Sequence, residues 1–146
     1  MNVIKLFMVL LLSPIVCFGQ NSPYPKDTIY IKFENKIENK KWIGTYGYGK
    51  NKKTGVLFNL KDNDKQAMSF FIEKNKTPDT LCITQLKNYK FSDLQEIDEK
   101  RYKWVFDHKR PPANRNDIFK TFLIEVISRD KFVIYPVIWR SEGAID

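Results

Sequence analysis

From Asp27 to Leu86 the chain changes character roughly every dozen residues. Short segments with a two-residue apolar period alternate with turns rich in Asn, Lys, Asp and Gly. The first segment, Asp27 to Phe33, sets Ile29, Ile31 and Phe33 on one face and Thr28, Tyr30 and Lys32 on the other. That period is the signature of a half-buried strand. Trp42 to Tyr48, Val56 to Leu60, Met68 to Ile72 and Thr80 to Leu86 continue the series. Strands this evenly spaced and joined by polar turns predict an antiparallel meander. Near the C-terminus, Phe119 to Ile127 and Phe132 to Trp139 flank the turn Ser128-Arg129-Asp130-Lys131. Phe122-Leu123-Ile124 and Val133-Ile134-Tyr135 are apolar on both faces, which predicts a central strand pair. Pro136 complicates the last strand, because it has no N–H for a ladder.

One segment breaks the pattern. Ser92 with Gln95 forms a capping box, and Leu94, Ile97, Arg101 and Trp104 then share a stripe at helical spacing. Glu96–Lys100 and Glu99–Lys103 are i,i+4 pairs in the favourable order. A helix over residues 93–104 is expected, lying on the sheet and closing one end of the core. The expected fold class is α+β: a mostly antiparallel meander of about seven strands, as a sandwich or open barrel, with one packed helix.

The N-terminus has the three parts of a secretory signal. Lys5 supplies the positive region, Leu6 to Leu12 the apolar run, and Cys17 and Gly19 the small positions of a cleavage site. Cleavage between Gly19 and Gln20 leaves one β-rich domain, residues 20–146. The apolar run is short of the roughly 20 residues that cross a bilayer, so no integral membrane protein is expected. A lipoprotein attached through Cys17 is the minority alternative, because bulky Val16 precedes that cysteine. Export to the periplasm, the outer envelope or the medium follows. Without the signal only Cys82 remains, which allows no internal disulfide. Its apolar neighbours predict a buried, inert thiol.

The exported chain carries 24 Lys and Arg against 17 Asp and Glu, a net +7. Such a surface attracts anionic partners at low salt. The partner expected is an anionic envelope component, a glycan or another protein, without specific nucleic-acid binding. A hydrophobic fraction of 42% excludes a disordered chain.

No residue set in the sequence identifies an enzyme. His108 is the single histidine, beside Asp107 in an irregular stretch, where a solvated loop side chain is expected. One His and one Cys do not make the usual structural zinc sets, and no serine stands in a G-x-S-x-G context. Asp62-Asn63-Asp64 begins like a calcium loop but lacks its glycine and distal glutamate. The other acids cluster in turns and on the helix, so paired-carboxylate hydrolysis is the least favoured function. No cofactor or metal is expected. Asp27-Thr28-Ile29 and Asp79-Thr80-Leu81 resemble Asp-(Ser/Thr)-aliphatic O-glycosylation sites, both at strand starts.

Gly44-Thr45-Tyr46-Gly47-Tyr48-Gly49 is the most unusual local composition. Tyrosine with glycine makes adaptable contact surfaces, and basic residues follow at Lys50 and Lys53. Tyr46, Tyr48, Lys50 and Lys53 are therefore the first candidate binding residues, and His108, Arg110 and Arg115 the second set. The expected function is a non-enzymatic envelope or secreted binding module. The alternative is a lipocalin-like barrel that encloses a small ligand.

Overall fold

In a computed structural model, the described residues are 25–61, 67–110 and 114–140. The expected signal segment with its Gly19–Gln20 junction, Cys17, and the Asp62–Asp64 turn lie outside them. The elements are β1 (Asp27–Phe33), β2 (Lys40–Tyr46), β3 (Lys53–Lys61), β4 (Ala67–Glu73), β5 (Asp79–Cys82), α1 (Leu94–His108), α2 (Arg115–Ile118), β6 (Phe119–Val126) and β7 (Lys131–Trp139). The fold is α+β, a seven-stranded mixed sheet with one main helix. The sheet order is β1-β6-β7-β4-β3-β2, with β5 paired to β7.

The meander holds for part of the chain. β2, β3 and β4 are antiparallel neighbours, and β6 and β7 form the C-terminal hairpin. β1 departs from it: it lies parallel to β6, from Asp27 opposite Phe119 to Phe33 opposite Glu125. The reason is the two-sided burial of β6. Leu123 faces one apolar cluster and Ile124 the other, so water is kept from the backbone of β6 and its N–H and C=O groups need a strand on each edge. β7 supplies one and β1 the other.

β7 is the strand on which both parts of the sheet meet. One edge pairs with β6 from Phe132 to Val137. The other pairs with β5 up to Ile134 and with β4 only at Ile138 and Trp139. Pro136 falls in the interval between these two partners, where a residue without an N–H is tolerated.

The first core holds the inward residues of five strands, among them Ile31, Phe33, Phe58, Phe70, Leu123 and Trp139. Phe33 of β1 meets Phe58 of β3 edge to face at 5.2 Å, joining strands far apart in the sheet order. Ile97 enters this core from α1, with Leu94 and Trp104 packed beside it. The stripe read from the sequence is therefore the face the helix buries. Its boundaries differ from expectation. Asp93, not Ser92, is the N-cap, accepting from the Glu96 N–H at 2.8 Å. Ser92 is buried, and its N–H donates to Tyr30 O at 2.8 Å on the outer edge of β1. The helix runs on to His108 and stops at Lys109, which has φ 51°. Glu96–Lys100 forms as expected, whereas Lys103 turns to Asp107 at 2.5 Å.

The expected strand Thr80–Leu86 is shorter. β5 ends at Cys82 and a 3-10 helix spans Ile83–Asn88. Ile83, Leu86 and Tyr89 recur every three residues, the period at which 3-10 side chains eclipse. All three cover the second cluster on Ile124, Phe132 and Ile134. The C-terminal end of β7 is clamped by α2. The Asn116 amide accepts from the Trp139 N–H at 2.8 Å and donates to its carbonyl at 3.0 Å, as a neighbouring strand would.

Gly55 is required by close approach. A Cβ there would lie 1.9 Å from the Ile72 carbonyl oxygen and 2.8 Å from the Phe71 ring. Gly55→Ala is expected to cost about 1–3 kcal/mol, because backbone of β4 must move. Gly44→Ala meets side chains alone, the Leu57 methyl at 2.4 Å and the Trp42 indole nitrogen at 3.3 Å, and is expected to cost less. Urea midpoints of the two variants check the order.

Candidate functional site

The glycine–tyrosine stretch is a turn rather than a continued strand. β2 ends at Tyr46, and Gly47 and Gly49 take φ of +100° and +55°, a region that favours glycine. Tyr46 is half-buried, its ring 5.3 Å from Phe71. Tyr48 stands out from the turn and is exposed, as is Lys50. Lys53 Nζ lies 2.5 Å from Glu73 Oε1, and this hydrogen bond holds the Glu73 carboxyl below its ordinary value. Of the first candidate set, Tyr48 and Lys50 thus face solvent at the hairpin tip, while Tyr46 packs and Lys53 is ion-paired.

The second candidate set is divided between two elements. His108 is not a loop residue: it ends α1, with its ring stacked on Trp104 at 4.2 Å and Nδ1 2.8 Å from Trp104 O. Arg110 is exposed just beyond. Arg115 belongs to α2, where its guanidinium lies 2.9 Å from Asp98 and 4.8 Å from the Trp139 ring. Sequence reasoning passed over two neighbours on α1. Tyr102 and Phe106 are one turn apart and 75% and 82% exposed. The signal was present in their spacing opposite Ile97, on the face away from the core. Cys82 is also corrected: it is exposed. The pairing of β5 on β7 turns Leu81 inward, leaving Thr80 and Cys82 outward. The Thr84 hydroxyl donates to its sulfur at 3.3 Å and draws the thiol below its ordinary value.

The most unusual electrostatic feature was missed altogether. Glu125 is 6% exposed on the core-facing side of β6. Its Oε2 accepts from Lys41 Nζ at 2.6 Å and from the Tyr135 hydroxyl at 2.8 Å. Lys41 also donates to Tyr135 at 3.3 Å, and its ammonium lies 5.4 Å from that ring. β2 and β6 are not neighbours in the sheet, so the pair bridges the space between its two parts. Burial opposes the charge on Lys41, but the hydrogen bonds with Glu125 and Tyr135 outweigh it and raise its pKa above the ordinary value. Burial first, and the bond to Glu125 second, raise the Tyr135 phenol. A charged residue inside the apolar run Phe122 to Ile127 was the available sequence signal.

β4 and β7 pair at only two positions and then diverge. Two cavities border the divergence. One, of about 260 Å³, lies against Ile43, Val56, Ile72 and Tyr135. Another, of about 480 Å³, lies against Phe71, Phe119, Pro136 and Ile138. Both sit at the rim, whereas Phe58, Phe70 and Leu123 are fully buried at the centre. Among the described residues no group of three or more His, Cys, Asp or Glu side chains could hold a metal ion. No helix among them is long and apolar enough to cross a membrane. The chain matches no protein-family model, no curated protein and no solved structure.

The Lys41–Glu125 pair is expected to be asymmetric. Lys41→Met strands a buried carboxylate and is expected to cost about 2–4 kcal/mol. Glu125→Leu leaves a lysine whose side chain is 28% exposed and can turn to water, so the cost is expected to be under about 1 kcal/mol. The double variant is expected to recover most of the loss. Chemical denaturation of the three variants measures the cycle. The upward shifts of Lys41 and Tyr135 favour the protonated forms in the folded state. Their stabilisation is complete below the ordinary values of 10.5 and 10.0 and is lost as pH rises through the raised ones. The wild-type urea midpoint is expected to fall in that alkaline range, and to fall less in Lys41→Met/Tyr135→Phe.

Proposed function

We propose that this protein is a non-enzymatic, exported binding module that docks on an anionic envelope component through the outer face of α1. The observation that carries the reading is the exposure of Tyr102 and Phe106, one turn apart on α1, with Lys103, paired with Asp107, between them and Lys109 and Arg110 directly after the helix end. Aromatic rings with an apolar body suit an interface, and nearby cations suit an anionic one. Each Lys or Arg held near an anionic lipid surface adds about 1 kcal/mol, within a Debye length. Tyr48 and Lys50 on the β2–β3 hairpin are a second exposed aromatic–basic pair. The net +7 of the expected exported chain supports the same attraction. The place of action is the periplasm, the outer envelope or the medium, following the segment read as a signal.

We read the architecture as an open barrel rather than a sandwich. Phe33, Phe58, Phe70 and Leu123 share one core, and the terminal strands β1 and β2 do not pair. A packed centre supports a surface partner over a ligand enclosed inside the barrel.

The test is sedimentation of the purified protein with vesicles. Binding to phosphatidylglycerol vesicles at low salt is expected, with little binding to phosphatidylcholine and release as salt rises. Tyr102→Ser/Phe106→Ser is expected to weaken binding about tenfold with unchanged thermal stability, since both side chains are exposed. Binding to neither vesicles nor isolated envelopes at low salt overturns the reading.

A further inference from the structure

The apolar side chains around the smaller rim cavity are aligned by strand pairing. Ile43 of β2 pairs with Val56 of β3, which pairs with Ile72 of β4. The three form one row across the core-facing side of the sheet. Burial falls along it: Ile72 is buried, Val56 half-buried, and Ile43, on the terminal strand, is 79% exposed. A β-branched residue left so open beside a cavity is uncovered apolar surface, which favours an apolar occupant. The Tyr135 ring forms another wall. It is held from two sides, by Phe58 at a ring distance of 5.0 Å and by the hydroxyl's bonds to Glu125 and Lys41. The cavity therefore has a preformed wall, which lowers the cost of binding.

The rim is charged. Lys74 and Lys76 stand at the mouth, on the turn that leads from β4 to β5. The Lys74 N–H donates to Thr54 O at 3.0 Å and the Lys76 N–H to Glu73 O at 2.9 Å, fixing the backbone that carries them. Glu73, the carboxylate at the mouth, is ion-paired with Lys53. Neither Lys74 nor Lys76 forms a salt bridge among the described residues. The larger cavity shares Ile72, Glu73 and Lys76 with it but not Lys74, and its other lysines are engaged: Lys26 donates to Asn116 O at 2.7 Å and Lys120 lies 5.4 Å from the Phe122 ring.

We infer that the cavity bounded by Ile43, Val56, Ile72 and Tyr135 binds a small molecule with a short apolar body and an anionic head, the head resting on Lys74 and Lys76. A volume of about 260 Å³ suits a short chain or a single ring rather than a long lipid. The site is separate from the proposed docking face on α1, so either can fail alone.

The test uses octanoate as the anionic probe and octanol as its neutral counterpart, titrated into the ¹⁵N-labelled full chain. Saturable shifts are expected for amides of Ile43, Val56, Ile72 and Lys76, with octanoate binding about tenfold tighter than octanol. Lys74→Gln/Lys76→Gln is expected to reduce octanoate to the affinity of octanol, because it removes only the head contact. Ile43→Trp, at an exposed position that the fold does not need, is expected to obstruct the cavity and abolish both. Ile43→Ser, which removes that wall without filling the space, is expected to weaken both probes. The inference is overturned if octanoate gives no saturable shift at millimolar concentration, if octanol binds as tightly as octanoate, or if Ile43→Trp binds octanoate as the wild type does.

Discussion

The rest of the structure depends on β7 having three partners. A strand has two edges, and β7 spends one of them on β6 and divides the other between β5 and β4. That division joins two parts of the sheet that otherwise share no ladder. It also leaves an interval around Pro136 where the second edge has no partner. The interval explains how a proline survives in a central strand, and why cavities open beside it. The short β4–β7 contact is reinforced from outside the sheet, by the Asn116 amide on Trp139 and by the Arg140 N–H, which donates to Ser69 O at 2.9 Å.

The second constraint is electrostatic. A carboxylate buried on the core-facing side of β6 is costly unless it is paired and hydrogen-bonded. Lys41 and Tyr135 meet that need from β2 and β7. Because Lys41 lies on the terminal strand β2, the requirement of Glu125 ties the far end of the sheet to the hairpin beside β1. Phe33 against Phe58 makes an apolar link between the same two parts. The polar cluster also holds the Tyr135 ring in place at the cavity wall, so one arrangement serves both the fold and the shape of the rim.

Much of the local structure was legible. The alternation of Ile29, Ile31 and Phe33 buries the residues expected, and the two-sided runs around Leu123 and Ile134 mark the central pair. The stripe Leu94, Ile97 and Trp104 is the packed face of α1. Errors arose where two local readings compete. Ile83, Leu86 and Tyr89 fit a three-residue period as well as Leu81 and Ile83 fit a two-residue one, and the second apolar cluster selected the 3-10 turn. Asp93 displaced Ser92 as N-cap because the edge of β1 took up the serine backbone. The candidate site was less legible. The Tyr48–Lys50 tip could be read from composition and the exposed Tyr102 and Phe106 from their spacing opposite Ile97, but the Lys41–Glu125–Tyr135 cluster and the Ile43-Val56-Ile72 row could not be assembled from the sequence. The members of the last two lie on different elements: strand pairing aligns the row, and packing of the two parts of the sheet across the core brings Lys41 to Glu125 and Tyr135.

The sequence by itself determined where most strands lie, with Thr80–Leu86 the exception beyond Cys82, which face of β1 is apolar, where the helix buries Ile97, and that the chain carries positive charge in excess. These properties follow from side-chain period and residue type, which act within a few residues. Only the tertiary structure decided that β1 pairs in parallel with β6, that β7 divides an edge between two strands, and that Glu125 meets Lys41. Those outcomes join residues as many as 94 positions apart, Lys41 and Tyr135 among them. Local preference carries no information over such a distance. The choice falls to the burial of two apolar clusters at once and to the pairing of one buried charge.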